Sequence, residues 1–417
     1  MTAPGPVVVA GGGVAGLATA LGLVRLGLPV TVVERDPEPA SGGALGVQSN
    51  AVLALRWLGM ADRVVAAGVP VEDYVLTSWR GRPLARWSPG VIGRELGAPS
   101  VTVPRAVLSQ VLRAALPAGC LHAGTVTGFE SRPDGVRVRL ADGTTLAGAL
   151  LVGADGVHSR IREQVVGTAA PLRHAGYTSW RGTAETTTDT IRRGTARHVF
   201  GVGRTVGMWP LPGARTYWVA TVAAPPDPDG TRLLDGSGYA ELRRALSGAP
   251  EPVAALLDHT AAEGVLRTPI YDRDPVTRWH VPGAVLVGDA AHPMQPTTGQ
   301  GAAQALLDAV ALVTELAAAD WSAPGSLDAA LARYAAVRQP ATAEAVRDAR
   351  EIGRLQHADS PVAGFVRDTV LRLTPGRVWQ RRAAARLDEL DLLRRAGERT
   401  VLPVRPGSAP TTDDGGV

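Results

Sequence analysis

Apolar positions along this chain fall into runs whose period changes as the sequence proceeds. Val7, Val8, Val9 and Ala10 form an unbroken run, the pattern of a strand covered on both faces, and the mainly apolar segment from Val14 to about Leu26 predicts a helix after it. Residues 30–33 repeat the strand pattern, and residues 51–58 read as a helix. Pro104-Arg105 opens another, with Val107, Leu108, Val111, Leu112 and Leu116 on one side. Between 125 and 151 the period drops to two: Arg137 and Arg139 alternate with apolar neighbours between Pro-Asp-Gly and Ala-Asp-Gly turns, predicting a half-exposed β-meander. Residues 177–182, 198–201, 205–209 and 216–222 predict a second sheet. Residues 239–257 read as one helix. The run at 284–287 is a strand again, and the helix after it, to about 318, turns Leu306, Val310, Val313 and Leu316 inward.

Composition breaks this sequence of elements at 69–99, where Trp79, Trp87, prolines and arginines mark an excursion out of the first unit. The resulting division is 1–72, 98–172 and 270–340 for a discontinuous nucleotide domain. Residues 73–97 and 173–269 form a sheet domain, 341–400 are C-terminal helices, and 401–417, rich in Pro, Gly and Asp, read as a disordered tail.

All 43 basic side chains other than histidine are arginine, because the sequence contains no lysine. That removes the phosphate loops and Schiff-base enzymes that depend on a lysine. One cysteine, Cys120, removes disulfide frameworks, Cys-ligated metal centres and dithiol redox pairs within the chain, and fits a reducing cytoplasm. The net charge of +4 and the lack of an arginine block with interleaved aromatics give no nucleic-acid surface. The charge-free first 24 residues lack the positive start of a secretory leader and break at Gly11-Gly12-Gly13. No later apolar run approaches the roughly 20 residues that span a bilayer.

Chemistry enters at three loops. Gly11-Gly12-Gly13-Val14-Ala15-Gly16 stands between a strand and a helix, where Gly11 permits a tight turn, Gly13 admits a pyrophosphate and Gly16 lets helix and strand pack. The helix N-terminus favours phosphate, and Glu34, ending the second strand, is placed for ribose hydroxyls beside Arg35. A glycine-rich loop over residues 42–50, containing Gly46, either approaches the same ligand or is a simple connection. Gly153-Ala154-Asp155-Gly156 makes a second strand-to-helix turn, which read alone is also an Asp helix cap. Gly288-Asp289 through Pro293, Pro296, Gly299 and Gly301 makes a third, opening a helix that stabilises negative charge.

Together these motifs resemble the single-component flavoprotein monooxygenases with the para-hydroxybenzoate hydroxylase fold. Gly11 to Gly16 with Glu34-Arg35 is similar to the family's adenine-dinucleotide motif. Residues 153–162, with Asp155, Gly156 and Arg162, resemble its Asp-Gly motif, and residues 288–301 its Gly-Asp motif. Arg338-Gln339-Pro340, ending a later helix, also fits, as does Arg105 near the flavin. Trp180-Arg181-Gly182 and residues 201–210 look most like the branch of urate hydroxylases and zeaxanthin epoxidases. The resemblance implies an α/β fold, with a Rossmann-like FAD-binding domain interleaved with a mixed β-sheet substrate domain, plus C-terminal helices. It implies NADPH or NADH reducing FAD, O₂ forming a flavin hydroperoxide, and one oxygen passing to a small aromatic or polycyclic substrate, in a monomer or homodimer.

For the cofactor it points to Val14, Ala15, Asp289, Pro296, Gly299, Gly301 and Ala302 beside those already named. For substrate it points to Trp180, Arg181, Phe200, Arg204, Trp209 and Pro293, with Arg105, Arg204 and Pro293 at the chemistry. Trp180 and Trp209 read equally as core, Arg204 as a solvated strand end, and His292 as a capping or packing residue. Two positions depart from the family pattern: Ala302 where Asn is common, and Leu307 where Glu often precedes the helix Asp308. Halogenases of this fold rely on a lysine that is missing here. A flavin oxidoreductase without oxygen insertion and a non-catalytic flavin binder are the remaining rivals.

Overall fold

The structure is a computed structural model that describes residues 5–36, 43–167, 170–185, 194–226, 230–387 and 389–399; Gly42 and the 401–417 tail lie outside the described residues. Its first layer is a six-stranded sheet in the order His280–Val281, Ala284–Leu286, Leu150–Gly153, Val7–Ala10, Val30–Glu34, Leu121–Ala123. All neighbours are parallel except the His280–Val281 edge. Val7 to Ala10 sit at its centre with at most 1% of their surface exposed, because helices cover both faces and every position must be apolar. Val14–Arg25 and Gly301–Ala317 pack together on one of those faces.

The meander is a small antiparallel sheet of Val126–Arg132, Gly135–Leu140 and Thr145–Gly148. Its third strand is shorter than the pattern suggested. Gly148 still pairs with Val136, but Leu150 pairs with Val7, so the chain changes sheet at Ala149.

The third layer is an eight-stranded sheet in the order Arg232–Leu233, Leu266–Asp272, Arg173–Glu185, Arg215–Ala223, Arg204–Leu211, Thr195–Phe200, Asp73–Ser78, Pro83–Trp87. The excursion after residue 69 thus supplies its last two strands. One face packs Trp180, Val206, Met208 and Trp218 against Leu242 and Leu256 from helices Gly236–Ala245 and Glu251–Asp258. These two helices replace the single one expected at 239–257. Gly248, with φ +68°, and Pro250 break it.

Ser326–Gln356 is one helix of 31 residues that continues through Pro340 instead of ending there. Proline removes one helical donor, but Arg338 and Thr342 are buried on either side and the Thr342 hydroxyl donates to the Arg338 carbonyl (2.9 Å), so packing holds the turn. Helices Pro361–Leu373, Gly376–Ala385 and Leu390–Arg399 follow. Among the described residues no helix is long and apolar enough to cross a membrane.

Candidate active site

The three glycine-containing loops meet at the carboxyl edge of the parallel sheet. Gly11 has φ +109°, and a Cβ there would lie 2.4 Å from the Ala154 carbonyl oxygen; a Cβ on Gly16 would lie 1.9 Å from the Gly11 carbonyl oxygen. Neither position admits a side chain. Gly13 differs: its φ of −76° is open to any residue, and a Cβ would meet nothing within 4 Å. Gly13 therefore faces free space over the start of helix Val14–Arg25, which has no side-chain cap and no acid in its first turn. Val14 and Ala15, both half-buried, open that helix. Glu34 leans over the loop, its Oε2 accepting from the Gly12 amide at 2.5 Å, and Arg35 beside it is exposed. Gly46 is exposed on strand Ala44–Val47.

Asp155 spends its carboxylate inside the protein: it accepts from the Ser159 hydroxyl (2.5 Å) and the Arg160 (2.8 Å) and Ile161 amides, while burial raises its pKa. It is a brace for helix Arg160–Val166, and Gly156 with φ +82° makes the turn between them. Arg162 is 2% exposed; its Nη1 donates to the Ala290 and Ala291 carbonyls at 3.0 and 2.7 Å, tying the second loop to the third. Burial, with Arg273 nearby, lowers its pKa to about 10.

Asp289 is exposed on the third loop, at the cleft where the three loops meet. Burial raises its carboxyl above the usual range, against the nearby charges of His292 and Arg105. Arg105, exposed at the start of helix Arg105–Arg113, donates its amide to the Gly43 carbonyl (3.1 Å). Pro293 is buried, Pro296 and Gly299 are exposed, and Gly301 and Ala302 are half-buried at the start of a helix without a side-chain cap.

Behind this loop lies a buried polar hub that sequence reasoning missed. Asp308 is 0% exposed; it accepts from the Gly288 amide (2.8 Å), His292 Nε2 (2.5 Å) and Arg338 Nε (2.9 Å). Burial alone would raise its carboxyl, but His292 and Arg338 outweigh that and hold it below the usual range. Arg338 continues to Glu389 (2.8 Å) and Gln304, and Gln300 links to Asn50 and Gln48. The signal was present: Gln300, Gln304 and Asp308 stand four apart, a polar stripe on a helix that is otherwise apolar as far as Val313. Leu307 sits in the core with Leu17 and Leu21, a place that suits no carboxylate.

Across the cleft stands the other face of the eight-stranded sheet. Arg181, Tyr217 and Trp209 lie there, and the charges of Arg181 and Arg105 both act on Tyr217, which also bonds the Ala44 amide. Arg181, Trp209 and Tyr217 thus face the loops across a chamber, whereas Tyr74 and His198, on the same face and half-buried, pack beside Trp87 and Phe200. Two expected substrate contacts, Trp180 and Arg204, are placed elsewhere, and Phe200 lies on the same face as Arg181 but at its far end. Trp180 points to the opposite face, 3% exposed under Arg267. Arg204 lies 4.4 Å over the Trp79 ring and bonds the Ala245 carbonyl. Phe200 packs against Leu76, Leu84 and Leu371 at the end covered by the C-terminal helices. Among the described residues no group of His, Cys, Asp and Glu is placed to hold a metal ion.

The FAD binding domain family matches residues 5–349. Aurachin C monooxygenase/isomerase of Stigmatella aurantiaca is 38% identical over 369 residues, covering 88% of this chain and 94% of that protein. The 3-amino-4-hydroxybenzoate 2-monooxygenase of Streptomyces cremeus is 37% identical over 374 residues, covering 88% and 92%. The crystal structure of Klebsiella pneumoniae HpxO complexed with FAD and uric acid aligns with a TM-score of 0.84 at 27% identity, covering 92% of this chain and 96% of that one.

Proposed function

The chain belongs to the FAD binding domain family and is an FAD-dependent monooxygenase, and we propose that it uses NADPH or NADH to insert one oxygen atom into a small aromatic or polycyclic substrate held against Arg181, Trp209 and Tyr217. The observation that carries this reading is the convergence of the three loops on a cleft whose opposite wall is a sheet face bearing aromatic and cationic side chains.

The residues present fit FAD. Gly11 to Gly16 offer a side-chain-free approach and an uncapped helix N-terminus for the pyrophosphate, Glu34 a carboxylate for ribose, and Asp289 a cleft-facing carboxylate for the ribityl chain. Gly299 to Ala302 offer a second uncapped N-terminus, which stabilises negative charge on the ring. Bound FAD supplies electron transfer and oxygen activation that no side chain here provides.

The chain itself positions and shields. Asp308, Arg338 and Arg162 hold the loops in place from behind. Arg181 and Arg105 set positive charge at the chamber, favouring an electron-rich or anionic ring. A cytoplasmic setting accords with the single thiol.

The test is direct. Purified protein is expected to take up FAD and, with a substrate from a panel of phenols, aminobenzoates and polycyclic compounds, to place one atom of labelled O₂ in the product while consuming NADPH or NADH. A colourless protein that takes up no FAD, or stoichiometric hydrogen peroxide with every compound, overturns the proposal.

A further inference from the structure

The helix Pro361–Leu373 is turned inside out. A surface helix ordinarily buries its apolar stripe and leaves its charges in water. Here Gly364, Arg367 and Leu371 are the buried positions, while Val362, Phe365, Val366, Val370 and Leu373 stand between 53% and 74% exposed. Those five recur at the three- and four-residue steps of a single helix face. Together they leave on the order of 500 Å² of apolar surface, as much as the largest patch of an ordinary globular monomer. The exposed Val202 extends it, since a Cβ on Gly364 would lie 3.3 Å from Val202 Cγ2.

The inversion is enforced from below. Arg367 Nη1 donates to the Gly201 (2.9 Å) and Gln356 (3.2 Å) carbonyls, its guanidinium lies 5.2 Å from the centre of the Phe200 ring, and Asp368 pairs with it at 2.8 Å. Leu371 enters the cluster of Leu76, Leu84 and Phe200. Rotating the apolar side inward would break all of these contacts.

The ground beside the patch is basic. Helix Gly376–Ala385 packs on the same edge strand, Pro83–Trp87, as Pro361–Leu373 does. From 361 to 387 the sequence holds six arginines and a single acid, Asp368, which is committed to Arg367. Arg372, Arg377, Arg381 and Arg382 are exposed and have no ion pair among the described residues; Arg382 lies 5.8 Å from the centre of the Trp379 ring. Arg386 is paired with Asp348 (3.4 Å), and the exposed Asp359 stands before the helix begins.

That charge decides between occupants. Two copies joined through this face about a two-fold axis would bring two such basic margins into one interface, with no free acid in the segment to offset them. An anionic bilayer offers acyl chains to the apolar stripe and phosphate headgroups to the arginines. At 13 residues, roughly 20 Å long, the helix is too short to span a membrane and suits lying in the plane of its surface.

We propose that the face formed by Val362, Phe365, Val366, Val370 and Leu373, with Arg372, Arg377, Arg381 and Arg382 beside it, docks the protein on an anionic lipid bilayer, the helix lying parallel to the surface. The proposal goes beyond the oxygenation reading and stands without it, because none of these residues belongs to the cleft.

The full chain is tested by sedimentation with vesicles of phosphatidylcholine alone and of phosphatidylcholine mixed with phosphatidylglycerol. It is expected to bind the mixed vesicles and to leave them as salt is raised. Phe365→Glu with Val370→Glu weakens that binding by about tenfold or more. Arg377→Gln with Arg381→Gln and Arg382→Gln weakens it by about a hundredfold. Both variants melt close to the parent, because every altered side chain is exposed. In a Cys120→Ser background, an environment-sensitive dye on Phe365→Cys shifts to the blue with mixed vesicles; on Glu241→Cys, in the helix Gly236–Ala245 under the sheet's other face, it does not. No binding to the mixed vesicles, equal binding to both kinds, parent-like binding by either variant, or an unshifted dye on Phe365→Cys overturns the proposal. A dimer that forms without lipid and is dissolved by Phe365→Glu gives the face to a second copy and overturns it too. Vesicle binding that appears only once residues 401–417 are removed gives the face to the tail, with the same result.

Discussion

The parallel sheet and the eight-stranded sheet each form one wall of the cleft, and they do so with different materials. The first presents backbone: amides at two uncapped helix starts and loops where glycine leaves room. Asp155, Arg162, Asp308 and Arg338 are turned inward, the two carboxylates and Arg338 held by internal hydrogen bonds and Arg162 donating through Nη1. The second presents side chains from one face, while the other face holds it together through Trp180, Trp218 and two helices. In the first wall, stability and ligand contact therefore share residues. In the second, strand parity separates them.

The largest effect comes from breaking the hub of the first wall. Arg338→Met leaves Asp308 buried at 0% exposure with His292 as its remaining side-chain partner, and is expected to cost about 3 to 5 kcal/mol in denaturant unfolding. The same carboxyl predicts a pH dependence. Its folded pKa is depressed, so the stability it contributes is present above the ordinary carboxylate range and is lost as pH falls through that range to the folded value below it. Acid unfolding of Asp308→Asn should lack that component. A loss under about 1 kcal/mol in Arg338→Met would remove the hub from the account.

Next in size are two glycines of one motif. Gly16→Ala forces a methyl against the Gly11 carbonyl and is expected to cost about 1 to 3 kcal/mol together with FAD binding. Gly13→Ala meets only free space, so melting of the FAD-free protein should be unchanged while FAD titration shows weaker binding. Equal melting losses in the two variants would contradict the assignment of Gly13 to the cleft.

The second wall is tested by a tryptophan pair. Trp180→Phe is expected to lower stability by about 1 to 2 kcal/mol with an unchanged KM, because its indole packs in the core. Trp209→Phe should leave melting nearly unaltered and shift KM. The opposite pattern would reverse the two faces.

What could be read from the sequence follows the same division. Backbone-built loops leave a signature because glycine and short acidic spacings are required locally, so Gly11, Gly16, Asp155 and Asp289 stand out before any fold is known. A side-chain wall depends on which way each strand faces. Trp180 and Arg181 are neighbours, and a period of two allows only one of them to look into the chamber; nothing local says which. The surroundings of Arg204 and Phe200 were illegible for a related reason: Trp79 and the C-terminal helices are distant from them in sequence. Pro340 misled because a proline normally ends a helix, and the packing that carries the helix past it comes from other elements. The hub was legible only as the polar stripe of Gln300, Gln304 and Asp308.

The smallest effect separates two carboxylates of the first wall that differ in charge environment. Asp308 is held ionised by His292 and Arg338, whereas Asp289, enclosed but facing the cleft, has its pKa raised by burial. A raised folded pKa means the folded state holds its proton more tightly than the unfolded chain. Stability contributed by the neutral form is therefore present at low pH and is lost as pH rises from the ordinary carboxylate value to the folded one. At neutral pH the ionised Asp289 is a small liability in the FAD-free protein. Asp289→Asn should accordingly melt slightly higher than the parent without FAD, and the gap should close as pH falls below the carboxylate range. The same substitution should weaken FAD binding, because an amide replaces the acceptor offered to the ribityl hydroxyls. Melting curves at several pH values with and without FAD read both effects. A variant that melts lower than the parent without FAD would mean that Asp289 is a structural brace like Asp308, and the division between inward and cleft-facing charge would fail where it is drawn most finely.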